Sequence, residues 1–133
     1  LRMLTIYYFA NKFNYLVAGT GNKSELLMGY FTKYGDGGVD ILPIAGLLKK
    51  DIRRLAEELN IPDRIINKPP AAGLWAGQTD EAEMGITYQQ LDDILNRLEQ
   101  SKRQVAPAQM VQKVKKAVKS SEHKRRTAAI FKP

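Results

Sequence analysis

The sequence predicts an α/β fold, a parallel sheet flanked by helices, on three observations. The apolar run Tyr15-Leu16-Val17-Ala18 ends in a glycine turn that opens a helical pattern. A second apolar segment follows near residues 40–44, and three amphipathic stripes come after it. Strand, glycine turn, helix, strand, helix is the grammar of α/β proteins. At 133 residues the chain suits one domain, burying roughly two-thirds of the surface its unfolded form exposes. Hydrophobic residues at 44% and charged residues at 26% argue against general disorder.

Taken in order, residues 1 to about 11 read as the middle of a helix, with no polar cap before them. Residues 15–18 read as a buried strand ended by Gly19, and a helix is expected from about 22 to 34. The run Gly35-Asp36-Gly37-Gly38 is turn-rich, and residues 40–44 form a second strand cut short by Pro43. Leu48, Ile52, Leu55 and Leu59 make the apolar stripe of a helix from about 47 to 60, with Pro62 limiting its continuation. Residues 68–85 hold two prolines, three glycines and the single Trp, so a long irregular loop is expected there. Thr87 with Gln90 is a capping-box pattern ahead of Leu91, Ile94, Leu95 and Leu98. Pro107 at a first helical position precedes Met110, Val111, Val114 and Val118, the stripe of a last helix. From Ser120 the chain is basic and poorly patterned. Two strands are too few for a parallel sheet. With the uncapped start, this reads as the C-terminal portion of a single domain.

The net charge of +7 is concentrated at one end. Residues 1–101 carry 11 basic and 13 acidic side chains, whereas residues 102–133 carry 10 basic side chains and only Glu122. Such a segment either attracts phosphate or is a solvated helix face. It has a single aromatic residue, Phe131, and so lacks a stacking platform for single-stranded nucleic acid. No apolar run approaches a membrane span, and no cleavage site follows the apolar start. The absence of Cys excludes disulfides, thiolate zinc sites and a cysteine nucleophile within these residues, and fits a reducing cytoplasm.

Gly19-Thr20-Gly21-Asn22-Lys23-Ser24-Glu25 follows a strand and opens a helix, where free N–H groups and the dipole favour phosphate. It is neither a Walker A loop nor G-x-G-x-x-G, so pattern alone favours a plain strand-to-helix turn over a nucleotide site. Glu25 sits one turn inside, placed either to reach a metal or to complement the dipole. Asp36-Gly37-Gly38-Val39-Asp40 lacks the closing Glu of a calcium loop; its carboxylates suit ligand hydroxyls such as those of a ribose. Lys49 and Lys50 open a helix, where positive charge is disfavoured unless an anion lies nearby. Trp75 is either a core anchor or a ring covering a ligand, and its flanking glycines favour a mobile cover. Thr79-Asp80-Glu81 reads first as an N-cap with acidic first-turn residues, and second as a catalytic or ammonium-binding group. His123, the sole His, is either a surface residue or part of a phosphate-binding cluster with Lys124.

Together, Val17-Ala18-Gly19-Thr20-Gly21-Asn22-Lys23-Ser24-Glu25, Gly29-Tyr30-Phe31-Thr32-Lys33-Tyr34-Gly35-Asp36-Gly37-Gly38, Lys68-Pro69-Pro70, Gly73-Leu74-Trp75, Gly77-Gln78-Thr79-Asp80-Glu81 and Ser121-Glu122-His123-Lys124-Arg125 resemble the NAD synthetases, in the same order and over nearly the whole chain. The resemblance implies a Rossmann-like, adenine nucleotide alpha hydrolase-like fold in a cytoplasmic homodimer. It also implies Mg²⁺ as cofactor and ATP, deamido-NAD and ammonia as substrates, with AMP, pyrophosphate and NAD as products. By position, Thr20 and Lys49 would contact ATP, Glu25 would ligate Mg²⁺, and Lys33, Asp40, His123 and Lys124 would hold deamido-NAD. Residues 102–133 would then be a basic tail over the substrate, and residues 68–85 a loop that orders over the reacting groups.

The family's Ser-Gly-Gly-x-Asp-Ser loop is absent from these residues, so no activity is expected of them alone. Ala71 stands where relatives place a Ser or Thr that bonds ATP, which removes one neutral hydrogen bond, about 0.5–1.5 kcal/mol. The resemblance leaves ammonia or glutamine open as nitrogen source. The alternatives are another AMP-forming ligase of the same fold and a non-catalytic basic module for nucleic acid. The His123-Lys124 pair and the Gly-Leu-Trp loop argue against the first, and charge is the only support for the second.

Overall fold

A computed structural model describes residues 1–131. Seven α-helices follow one another: α1 (Arg2–Phe13), α2 (Lys23–Met28), α3 (Lys49–Glu58), α4 (Asp63–Ile66), α5 (Asp80–Met84), α6 (Tyr88–Glu99) and α7 (Ala108–Ser120), then a 3₁₀ turn at Glu122–Lys124. The core lies where α2, α6 and α7 meet. Leu91, Ile94 and Leu95 of α6 interlock there with Val111 and Val114 of α7, and with Leu48, Met84, Ile86 and Tyr88. These are the stripes that the 3.6-residue period marked in the sequence. The capping box at Thr87 forms as expected, with the Gln90 N–H donating to the Thr87 hydroxyl at 3.2 Å. Thr79 caps α5 in the same way.

The expected sheet is reduced to one contact. Segments 15–18 and 40–44 meet in a single parallel bridge, Ala18 to Ile41, and no longer strand forms among the described residues. The Gly19 N–H donates to the Ile41 carbonyl at 2.8 Å and the Asp40 N–H to the Val17 carbonyl at 2.9 Å. Pro43 has no N–H to extend the ladder, and neither segment has a neighbour on its other edge.

Three other boundaries differ from expectation. The helix expected over 22–34 stops at Met28, because Gly29 turns left-handed at φ 70°. A side chain on Gly29 would also collide with the Ser121 Cβ. α3 ends at Glu58, ahead of a left-handed Asn60 and before Pro62 is reached, and Pro62 instead opens another helix, α4, as its N-cap. The irregular stretch expected over 68–85 closes early, since α5 occupies its last third.

Candidate functional site

The glycine turn delivers α2 with a complete capping box. The Glu25 N–H donates to Asn22 Oδ1 at 3.0 Å, and the Asn22 N–H donates back to Glu25 Oε2 at 3.1 Å. One Glu25 oxygen is thus committed to the helix start. The other, Oε1, faces a partly buried cluster, where Lys49 Nζ lies 3.2 Å away and the Tyr88 hydroxyl 3.3 Å away. Lys49 also sits over the Tyr88 ring, 5.0 Å from its centroid. The two residues assigned by resemblance to metal and ATP are therefore an ion pair here.

Tyr88 is 1% exposed, and its hydroxyl also lies 3.0 Å from Asp80 Oδ2. Burial raises its pKa above the ordinary tyrosine value, and the Glu25 and Asp80 charges raise it further, so the hydroxyl keeps its proton and stays a hydrogen-bond donor. Tyr30 is raised in the same direction, first by burial and then by its hydrogen bond to Glu83. Gln78 completes the cluster, donating to Glu83 Oε2 at 3.0 Å and accepting from the Leu74 N–H at 2.7 Å, which ties down the loop carrying Trp75. Trp75 itself is 57% exposed and so is not a core anchor.

The acidic residues suit a hard cation. Asp80 is buried, yet its Oδ1 has no partner. No group of three or more His, Asp or Glu side chains converges among the described residues. A cation held by Glu25 would draw its remaining ligands from phosphate and water, the coordination Mg²⁺ prefers.

A second group forms on the far side of Gly29. Lys33 Nζ donates to the His123 carbonyl at 2.7 Å, and Lys124 Nζ donates to the Gly29 and Phe31 carbonyls, both at 2.8 Å. Arg125 donates to the Leu26 and Leu27 carbonyls at the end of α2 and to Val118 at the end of α7. Part of the tail's charge thus serves helix C-termini, where unpaired carbonyls favour cations. The His123 ring is exposed, with Nδ1 3.0 Å from the Ser120 carbonyl. Asp40 stands apart from both groups, accepting from the Tyr7 hydroxyl at 3.0 Å and the Val17 N–H at 2.7 Å. Thr20 is exposed at the turn and makes no hydrogen bond to the other site residues. Asp36 closes its own turn by accepting the Thr32 N–H at 2.8 Å.

The anion expected near Lys49 and Lys50 is supplied, for the helix start itself, by the protein. Asp92 is 0% exposed and accepts the Lys50 N–H at 2.8 Å and the Ser24 hydroxyl; Ser24 in turn accepts the Lys49 N–H at 3.0 Å. The two lysines at that position are therefore explained without phosphate. Sequence reasoning missed Asp92, Ser24, Tyr30, Gln78 and Tyr88. A usable signal existed for two of them. Tyr88 and Asp92 lie four residues apart on the apolar face of α6, where a carboxylate is out of place without a partner.

The sequence model for NAD synthase matches residues 1–128. An NH(3)-dependent NAD(+) synthetase of Archaeoglobus fulgidus is 55% identical over 125 residues, 94% of this chain and 50% of the relative. Among solved structures, an NMN synthetase from Francisella tularensis superposes with a TM-score of 0.87 at 43% identity, covering 98% of this chain and 52% of the other. An NH3-dependent NAD synthetase from Campylobacter jejuni superposes at 0.79 and 28% identity, covering 98% and 51%. The chain spans about half the length of the curated relatives it matches. No helix among the described residues is long and apolar enough to cross a membrane.

Proposed function

The chain belongs to the NAD synthase family, and from that premise we propose that a polypeptide of family length carrying these residues amidates deamido-NAD with ammonia, using ATP. A carboxylate resists attack by ammonia, so the nicotinate group is first joined to AMP with loss of pyrophosphate. Ammonia then displaces AMP, forming the C–N bond of NAD as the C–O bond to phosphate breaks. The observation that carries the reading is the Glu25–Lys49 pair beside the glycine turn, held by Tyr88.

In this reading Glu25 holds Mg²⁺, which neutralises charge on the ATP phosphates. Lys49, released from Glu25, turns to those phosphates, and Thr20 meets ATP at the mouth of the turn. Lys33, Asp40, His123 and Lys124 bind the dinucleotide, the tail lying over it. For Lys124 this means exchanging two carbonyl partners for ligand oxygens. The loop ending at α5 shields the reacting groups from water. Segments 15–18 and 40–44 are then one edge of a parallel sheet in a Rossmann-like fold completed elsewhere, and the working unit is a cytoplasmic homodimer.

The test is to supply ATP, Mg²⁺, deamido-NAD and ammonium and to measure NAD and AMP. ADP in place of AMP would overturn the adenylation step. Glu25→Gln lowers kcat at least tenfold, as removal of even an outer partner of a metal ligand does. The likeness to an NMN synthetase favours one second reading, in which the mononucleotide is the substrate. Comparing kcat/KM for deamido-NAD and nicotinate mononucleotide separates the two.

A further inference from the structure

Tyr88 touches two groups that the proposed reaction uses, Glu25 and Lys49, and a third, Asp80, at the base of the Trp75 loop. Its hydroxyl is shared between Glu25 Oε1 at 3.3 Å and Asp80 Oδ2 at 3.0 Å, and its ring lies under the Lys49 ammonium. The three partners come from α2, from the first residue of α5 and from the start of α3, so one side chain joins three elements. Its ring is fixed by the core it belongs to, among Leu91, Ile94 and Met84. A group so placed is a rigid reference point against which mobile charges are set.

We propose that Tyr88 is the positioning residue of the phosphate–metal site, orienting Glu25 for the cation and coupling that orientation to the loop through Asp80. The inference rests on the reading of Glu25 and Lys49 given above. One O–H can satisfy one acceptor fully, so Glu25 and Asp80 compete for it. A cation on Glu25 draws Oε1 away from the hydroxyl and from Lys49, leaving the hydroxyl to Asp80. Asp80 opens α5, and the Asp80 N–H is bonded to the Pro70 carbonyl at 3.0 Å, so it spans the base of the Trp75 loop. Metal arrival at Glu25 therefore strengthens the closure of that loop. Lys49, which rests over the ring when paired with Glu25, is freed in the same event to turn to the phosphates.

The test uses Tyr88→Phe in a polypeptide of family length, which removes one oxygen and keeps the ring. The Mg²⁺ concentration for half-maximal rate rises about tenfold and kcat falls by a similar factor, while KM for deamido-NAD stays unchanged. A purely structural role would instead lower the thermal midpoint and leave the Mg²⁺ dependence of the folded fraction where it was. That outcome overturns the proposal. Should Tyr88→Phe fail to fold, wild-type protein labelled with ¹³C at tyrosine Cζ supplies the answer. The buried tyrosine resonance moves on adding ATP with Mg²⁺ and not on adding ATP with EDTA; no movement in either case overturns the proposal. If wild type makes neither NAD nor AMP, the reaction assignment itself fails, whatever the variant does.

Discussion

The first sixteen residues and the stretch from Met84 to Val114 are both rich in large apolar side chains, but they occupy opposite environments. In the later stretch Leu91, Ile94 and Val114 are sealed off from solvent. In α1 and the segment after it, Leu4, Ile6, Tyr8, Phe9, Phe13, Tyr15 and Leu16 stand exposed. Phe9 and Phe13 stack on one another there, 6.3 Å between ring centroids, without a core beneath. Apolar content alone therefore does not locate a core. The later stretch has partners in α2, α6 and α7 at helical spacing, whereas α1 buries only Ala10 and meets residues 38–40 through Met3 and the Tyr7–Asp40 hydrogen bond, and the segment after it adds one parallel bridge.

Mutation sharpens that contrast, and the largest effect is expected in the core. Leu91→Ala removes a fully buried side chain from the centre of α6 and costs about 2–5 kcal/mol, read as a lowered urea midpoint with an unchanged slope. Such a loss is a large part of a small domain's total stability. A midpoint that did not move would mean that the core is not where α2, α6 and α7 meet.

A middle-sized effect is expected at Asp92. Asp92→Ala strands the Ser24 hydroxyl and the Lys50 N–H, costing about 1–3 kcal/mol. Asp92→Asn adds a pH signature. Burial raises the Asp92 carboxyl above the ordinary range, against the lowering effect of its two hydrogen bonds. A carboxyl raised in the fold binds its proton more tightly there than in the unfolded chain. Its contribution to stability is therefore lost as pH rises from the ordinary value, about 3.9, through the raised one. Wild type should lose stability relative to Asp92→Asn across that interval, and a difference independent of pH would refute the burial argument.

The smallest effect belongs to the exposed face. Leu4→Gln keeps helix propensity, removes an apolar side chain from solvent, and changes stability by no more than about 0.5 kcal/mol. A loss as large as that of Leu91→Ala would show that this face is covered in solution.

These residues also show what the sequence discloses and what it withholds. Caps at Thr79 and Thr87 and the stripes of α6 and α7 are local patterns, and the structure contains them; α3 forms as a helix, but Leu55 and Leu59 of its expected stripe stand exposed. Glu25 and Lys49 were singled out separately, for metal and for ATP, through the order of motifs; that they form an ion pair was not legible. The strands at 15–18 and 40–44 depend on neighbours distant in sequence, and local pattern overstated them. The end of α2 at Gly29 depends on the approach of Ser121 from the far end of the chain. Asp92 was marked by its place on an apolar helix face, but its partners were hidden for the same reason: they lie 42 and 68 residues away.

That last separation governs the order of events when the polypeptide is made. A nascent chain leaves the ribosome with Lys49 and Lys50 long before Asp92, which follows 42 residues later. At roughly 5–20 residues per second the interval is about 2–8 s. For that time the start of α3 has only its own Asp51, which accepts the Leu48 N–H, to set against two cations, and its distant acceptor is not yet synthesised. The cap that Asp92 provides is thus added only when α6 emerges and docks.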